Sequence, residues 1–100
     1  MSSFTLKSGT NKGNRRIWIE GDRLASAGFN RGTFLYRTIS GSVLTLSTVP
    51  ADGRKHRIAG TDARPILDLC GKWVTEFMGN RSHFTVTTTD STITIEPVSL

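Results

Sequence analysis

The chain has 100 residues, of which 36% are hydrophobic and one is cysteine, and its formal net charge is +5 at pH 7. A chain of this length holds one small domain, or two half-size units that share a core. A single cysteine excludes an internal disulfide, no apolar run approaches the roughly 20 residues that span a bilayer, and the N-terminus has no apolar block for secretion. We therefore expect a cytoplasmic globular protein.

The first part of the chain predicts an arm followed by a strand, a short helix and a hairpin. Residues 1–14 are rich in Ser, Gly, Thr, Asn and Lys and predict a flexible arm. In the segment 15–47, Gly28 supplies the left-handed conformation that ends the helix, and Phe29 is expected to pack back over its last turn. The strands expected in this unit are Ile17–Ile19, Phe34–Ile39 and Val43–Leu46.

The same order of elements returns in the segment 64–96, after a basic connection over residues 48–63. The two halves correspond at a shift of about 49 positions, and neither is expected to bury enough surface alone. The sequence therefore predicts a mainly β fold with two short helices (α+β), in which residues 15–100 form a single compact domain of two half-units. The elements expected in the second unit are strands at Ile66–Leu69, Phe84–Thr88 and Thr92–Ile95 and a helix from Gly71 to Met78 with an apolar stripe that includes Trp73.

The segment "RIWIEGDRLASAGFNRGTFLYRTISGSVLTL" resembles the swapped-hairpin domains of the AbrB/SpoVT class of transition regulators and antitoxins, and it is most similar to SymE-type proteins. The match lies in Ile17–Ile19, Leu24–Gly28, Phe29 and Gly32, and it is clearer over 15–47 than in the second half. Family members pair two such units as an interleaved dimer. The resemblance therefore implies a tandem pseudo-repeat that forms an AbrB-like pseudo-dimeric β-barrel core. It also implies DNA binding and, for SymE-type proteins, association with RNA and the nucleoid.

Basic side chains are concentrated in the first part of the chain. Residues 1–57 hold ten basic and three acidic side chains, a balance of +7, whereas residues 58–100 hold three basic and five acidic ones, a balance of −2. Such a surface favours phosphate backbones or another anionic partner. Trp18, Phe34 and Tyr36 interleave with this charge and are expected either to stack on unpaired bases or to pack in the core. The residues predicted to bind nucleic acid are Lys12, Arg15, Arg16, Arg23, Arg31, Arg37, Arg54, Lys55 and Arg57.

Catalytic and metal chemistry have little support in the sequence. His56, His83 and Cys70 lack the spacing that places several donors on one ion, and we expect a surface-loop histidine at 56 and an inert half-buried thiol at 70. The carboxylates near the predicted helix starts are better explained as caps or partners of the helix dipole than as an acid/base pair. We expect no enzyme activity, no catalytic residues, no metal and no cofactor.

Two functions remain open at this point. The first is a small nucleic-acid-binding protein that contacts the phosphate backbone through a basic face, with DNA favoured over RNA. The second is a protein-binding inhibitor or accessory module, for example a phage counter-defence protein, that uses its basic surface against an acidic partner that handles nucleic acid. Both need an anionic partner and no membrane, and both allow a monomeric pseudo-dimer or a homodimer.

Overall fold

The computed structural model of the chain describes residues 2–51 and 53–99, which form antiparallel strands and two short helices. The predicted mainly β class with two short helices is confirmed. The helices are α1 (Asp22–Ala25) and α2 (Lys72–Met78). Within the described residues the strands are β1 (Ser2–Lys7), β2 (Gly9–Asn11), β3 (Asn14–Glu20), β4 (Phe34–Ser40), β5 (Val43–Ser47), β6 (Lys55–Arg57), β7 (Ala59–Gly60), β8 (Pro65–Cys70), β9 (His83–Thr88) and β10 (Thr92–Val98).

The strands form two antiparallel sheets. The larger sheet has the order β1-β9-β10-β5-β4-β6, and the smaller sheet has the order β2-β3-β8-β7. No hydrogen-bonded ladder of the described residues links a strand of one sheet to a strand of the other, so the predicted closed barrel is not seen. Neither helix in the described part of the chain is long and apolar enough to cross a membrane.

The core is one cluster of buried apolar side chains drawn from both sheets and both helices. Alternation with period two explains the strand contributions, since Ile93 and Ile95 of β10 are fully buried and Thr92 and Thr94 are not. The helices add Leu24, Val74 and Met78. Because both half-units supply this single core, their apolar faces are shared.

Helix α1 ends as the sequence predicts. Gly28 has φ 90°, and its N–H donates to the carbonyl of Ala25 at 3.0 Å. The N–H of Phe29 donates to the carbonyl of Leu24 at 3.0 Å, which completes a Schellman motif. Phe29 is buried over this turn, so the helix is held to four residues and the chain turns back toward β4.

The predicted flexible arm is wrong for residues 2–11. All six residues of β1 pair with β9, and β2 pairs with β3. Phe4 and Leu6 alternate with Ser and Thr and pack against the core, which is the period-two pattern of a half-exposed edge strand. Met1 lies outside the described residues.

The predicted connection over 48–63 also contains two strands, although Asp52 lies outside the described residues. β6 pairs with the first three residues of β4, and β7 pairs with the start of β8. Its basic side chains are therefore fixed on a sheet edge beside β4.

Candidate nucleic-acid interface

An open groove of about 540 Å³ lies between α2 and the edge of the larger sheet formed by β4 and β6. Three cationic side chains from three separate parts of the chain, Arg37, Arg54 and Lys72, converge there, and we call this region the basic groove. It is lined by Arg37, Arg54, Lys55, His56, Cys70, Lys72 and Trp73.

The direction of β4 explains how a charged side chain enters this groove. Leu35, Arg37 and Ile39 lie on the same face of the strand, and their exposure rises along it from fully buried through half-buried to 47%. His56 is directly opposite Leu35 in the neighbouring strand, so it shares that face. The strand thus runs from the core to the surface, and Arg37 lies at the boundary.

Arg37 is stacked on the indole of Trp73. Its guanidinium carbon is 3.8 Å from the ring centroid, within the range of a cation–π contact. The imidazole of His56 lies beside the same indole, with ring centroids 5.6 Å apart, and Nη1 of Arg37 is 3.5 Å from Nε2 of His56. These contacts restrict the Arg37 side chain, and no carboxylate of the described residues forms an ion pair with it.

Burial and the repulsion between neighbouring positive charges lower the pKa values of two residues in the groove. Burial lowers the pKa of Arg37, and the positive charge of Arg54 lowers it further. Burial also lowers the pKa of His56, with smaller contributions from Arg37 and Arg54. His56 is half-buried in β6, so the predicted surface-loop position is wrong. Arg37 stays charged because an arginine is not deprotonated in proteins.

Gly53 allows the segment that carries Arg54 to approach β4. The backbone N–H of Arg37 donates to the carbonyl of Arg54 at 2.8 Å. A side chain at position 53 would overlap the backbone carbonyl of Arg37. The close approach that places Arg54 in the groove therefore requires glycine at this position.

Three of the nine predicted binding residues, Arg37, Arg54 and Lys55, line this groove, but the ammonium of Lys55 lies over the Phe34 ring, 4.5 Å from its centroid, on the face of β4 opposite Arg37. Arg57 lines a separate depression with Arg31, whose Nε is 2.9 Å from a carboxylate oxygen of Asp62. The nine predicted residues therefore do not share one face, because Arg37 and Arg57 lie on opposite sides of the larger sheet.

The other predicted residues have local partners or lie apart from the groove. Arg16 donates two hydrogen bonds to Asp68, at 2.8 and 2.9 Å, which raise its pKa, and its guanidinium lies over the Trp18 ring. Arg23 lies over the Phe4 ring, with 4.3 Å to the centroid. Lys12 is exposed in the turn between β2 and β3.

Arg15 has a structural role. Its side chain donates to Ser8 Oγ at 3.3 Å, to the carbonyl of Gly79 at 3.1 Å and to the carbonyl of Arg81. Its backbone N–H donates to Thr75 Oγ1 at 2.8 Å. Arg15 thus fastens the C-terminal end of α2 to β3 and is not free to contact phosphate.

Lys72, Trp73 and Cys70 were missed as site residues by the sequence reasoning. Trp73 was assigned to the apolar stripe of α2, but Val74 and Met78 are the residues of this helix that are fully buried. Trp73 is half-buried and faces Arg37. The available signal was the pair Lys72-Trp73 itself, a cation beside an aromatic at the start of a short helix in the more acidic half of the chain.

No protein-family model matches the chain, and no curated protein or solved structure is significantly similar to it. Within residues 2–51 and 53–99, no three His, Cys, Asp or Glu side chains are grouped so that they could hold a metal ion. The candidate site is therefore defined by the geometry and charge of the basic groove.

Proposed function

We propose that the protein binds nucleic acid through the basic groove. The observation that carries this proposal is the convergence of Arg37, Arg54 and Lys72 on one groove whose lining contains no carboxylate among the described residues. Elsewhere Arg16, Arg31 and Arg64 each form an ion pair with a nearby carboxylate. No carboxylate of residues 2–51 and 53–99 neutralises the groove in this way, so its positive charge is suited to an external anion.

A phosphate backbone fits this charge. Each phosphate that a cation neutralises releases condensed counterions, and this release supplies most of the sequence-independent affinity. Arginine presents a planar fork of donors that matches phosphate oxygens, and lysine acts as a compact charge. Because Arg37 is already held against Trp73, its binding geometry is partly set before the ligand arrives.

We further propose that the two half-units are related copies that form an AbrB-like pseudo-dimer. The strand register supports this, because Thr45 pairs with Thr94, which lies 49 positions later. On either side, Leu46 pairs with Ile93 and Leu44 pairs with Ile95. A shift of 49 positions relates Leu46 to Ile95 and Leu44 to Ile93, so it converts one of these pairs into the other. The groove itself is not duplicated, because Val86 occupies the position that corresponds to Arg37. We therefore expect one binding site per chain.

The test is a salt series with a matched pair of charge variants. The groove variant combines Arg54→Gln and Lys72→Gln. The control combines Lys7→Gln and Arg64→Gln, which removes the same charge outside the groove. The affinity of each for 12-nucleotide single strands and 12-base-pair duplexes is measured by fluorescence anisotropy between 50 and 300 mM salt.

The groove variant should bind more weakly at every salt concentration, and the slope of log affinity against log salt should shrink by about 0.7 to 0.9 for each phosphate contact removed. The control should stay closer to the wild type. Equal losses in both variants would mean that total charge is responsible and would refute a groove site. An absence of measurable affinity for any nucleic acid would instead favour the inhibitor of an acidic protein partner.

A further inference from the structure

A second depression, of about 420 Å³, begins on the other side of Trp73. It lies between α2 and the tip of the hairpin that joins β4 and β5. Trp73 lines both depressions, so they meet at its indole. We call this second region the apolar pocket, and its lining is Ile39, Gly41, Ser42, Trp73, Glu76 and Phe77.

The basic groove and the apolar pocket differ in the chemistry of their linings. The apolar pocket has two aromatic rings and Ile39, which is 47% exposed, and it contains one carboxylate, that of Glu76. A phosphate is repelled by Glu76 and attracted by the cations on the other side of Trp73. The pocket therefore favours a flat, uncharged group that is attached to a phosphate located in the basic groove.

The edge of β4 leaves this pocket open. β6 covers Phe34 to Tyr36 of β4, and no described strand pairs with Thr38 to Ser40 on that side. The corresponding edge strand on the opposite side of the sheet is different, because β1 pairs with every residue of β9. A ligand chain in the basic groove can therefore continue past Trp73 to Ile39 without meeting another strand.

We propose that the ligand is a single-stranded nucleic acid, one base of which lies against Ile39, Trp73 and Phe77 while neighbouring phosphates contact Arg37, Arg54 and Lys72. This inference rests on the proposed function and specifies its substrate class. In a duplex the bases are paired and stacked inside the helix, so a base reaches a protein pocket only after unpairing. An unpaired strand has no such cost, and its bases stack readily on aromatic side chains.

The test uses three probes of stated composition: a 12-residue oligothymidylate, a 12-residue abasic deoxyribose-phosphate strand, and a 12-base-pair duplex. The chain has two tryptophans, Trp18 and Trp73, so Trp18→Phe leaves Trp73 as the fluorescent reporter. Anisotropy of labelled probes with the wild-type protein gives the affinities independently of this variant. The oligothymidylate should quench Trp73 emission and bind about 5- to 150-fold more tightly than the abasic strand.

A matched pair of variants locates the base. Ile39→Thr and Val49→Thr both replace an exposed, β-branched apolar residue, and Val49 is 63% exposed and does not line the pocket. Ile39→Thr should reduce oligothymidylate affinity by about fourfold for each methylene removed from the contact, and it should leave abasic-strand affinity unchanged. Val49→Thr should change neither.

Equal affinity for the abasic and thymidylate strands, or unchanged Trp73 emission on binding, would overturn the base site and leave phosphate binding in the basic groove intact. Tighter binding of the duplex than of either single strand would do the same. Failure of all three probes to bind would overturn both this inference and the proposed function.

Discussion

Replacement of Arg15 separates a structural arginine from the arginines that we propose bind nucleic acid. The side chain joins Ser8 and β3 to the carbonyls of Gly79 and Arg81, which follow the end of α2. Arg15→Ala removes this bridge. We therefore expect lower stability and unchanged binding, which is the reverse of what the position of Arg15 in a basic sequence suggests.

The magnitude follows from the three hydrogen bonds. A hydrogen bond to a charged group contributes about 1.5–3 kcal/mol when water cannot replace it. The two carbonyl acceptors are exposed, and water satisfies them after truncation, so the expected loss of unfolding free energy is about 1–2 kcal/mol. For a domain of this size, that corresponds to a decrease in Tm of roughly 4–15 °C.

Urea denaturation followed by circular dichroism measures this loss, with Arg54→Ala as the exposed-arginine control. Arg54→Ala should shift the unfolding free energy by no more than about 0.5 kcal/mol. Arg15→Lys should be intermediate, because an ammonium keeps the charge but lacks the fork that reaches three acceptors. An unchanged midpoint for Arg15→Ala, together with a smaller salt slope of nucleic-acid binding, would refute the structural role.

Three further outcomes are expected. Folding lowers the pKa of His56, so below the ordinary histidine pKa of about 6.5 the unfolded chain binds more protons than the folded chain. Stability should therefore fall as pH decreases through that value. His56→Gln should make the urea midpoint less dependent on pH. Gly53→Ala should displace β4 at Arg37 and weaken both stability and binding, and an unaltered amide spectrum at Arg37 would argue against this. Leu46→Ala should cost about 2–5 kcal/mol in chemical denaturation, since Leu46 is fully buried; a cost below 1 kcal/mol would contradict its place in the shared core.

Elements with a strong local signal were predictable from the sequence. Ile93 and Ile95 alternate with threonines, which is the pattern of a half-buried strand. The end of helix α1 depends on the backbone freedom of one residue, Gly28. Strand β1 was missed because an edge strand with one polar face has a Ser- and Thr-rich composition that is also typical of a flexible segment. Its assignment depends on pairing with β9, about 80 residues away, and no local pattern contains that information.

The candidate site was only partly predictable for the same reason. Arg15 and Arg54 are both basic residues in a basic region, but the two carbonyl groups that accept from the Arg15 side chain follow α2 and are more than 60 residues away. Trp73 and Val74 are neighbours in one short helix, and the position of β4 decides which of them is buried. Charge in the sequence predicts an anionic ligand, whereas the fold determines which cations lie together in the basic groove.

Amide chemical-shift mapping during titration with the 12-residue oligothymidylate tests the location of the site most directly. We predict the largest changes in three segments that meet only in the folded chain: residues 37–40, 53–56 and 71–77, with the indole N–H of Trp73 among them. The turn that carries Lys12 and the region of Arg23 should change little. Changes centred on Lys12 and Arg23, with the three groove segments unaffected, would contradict the account.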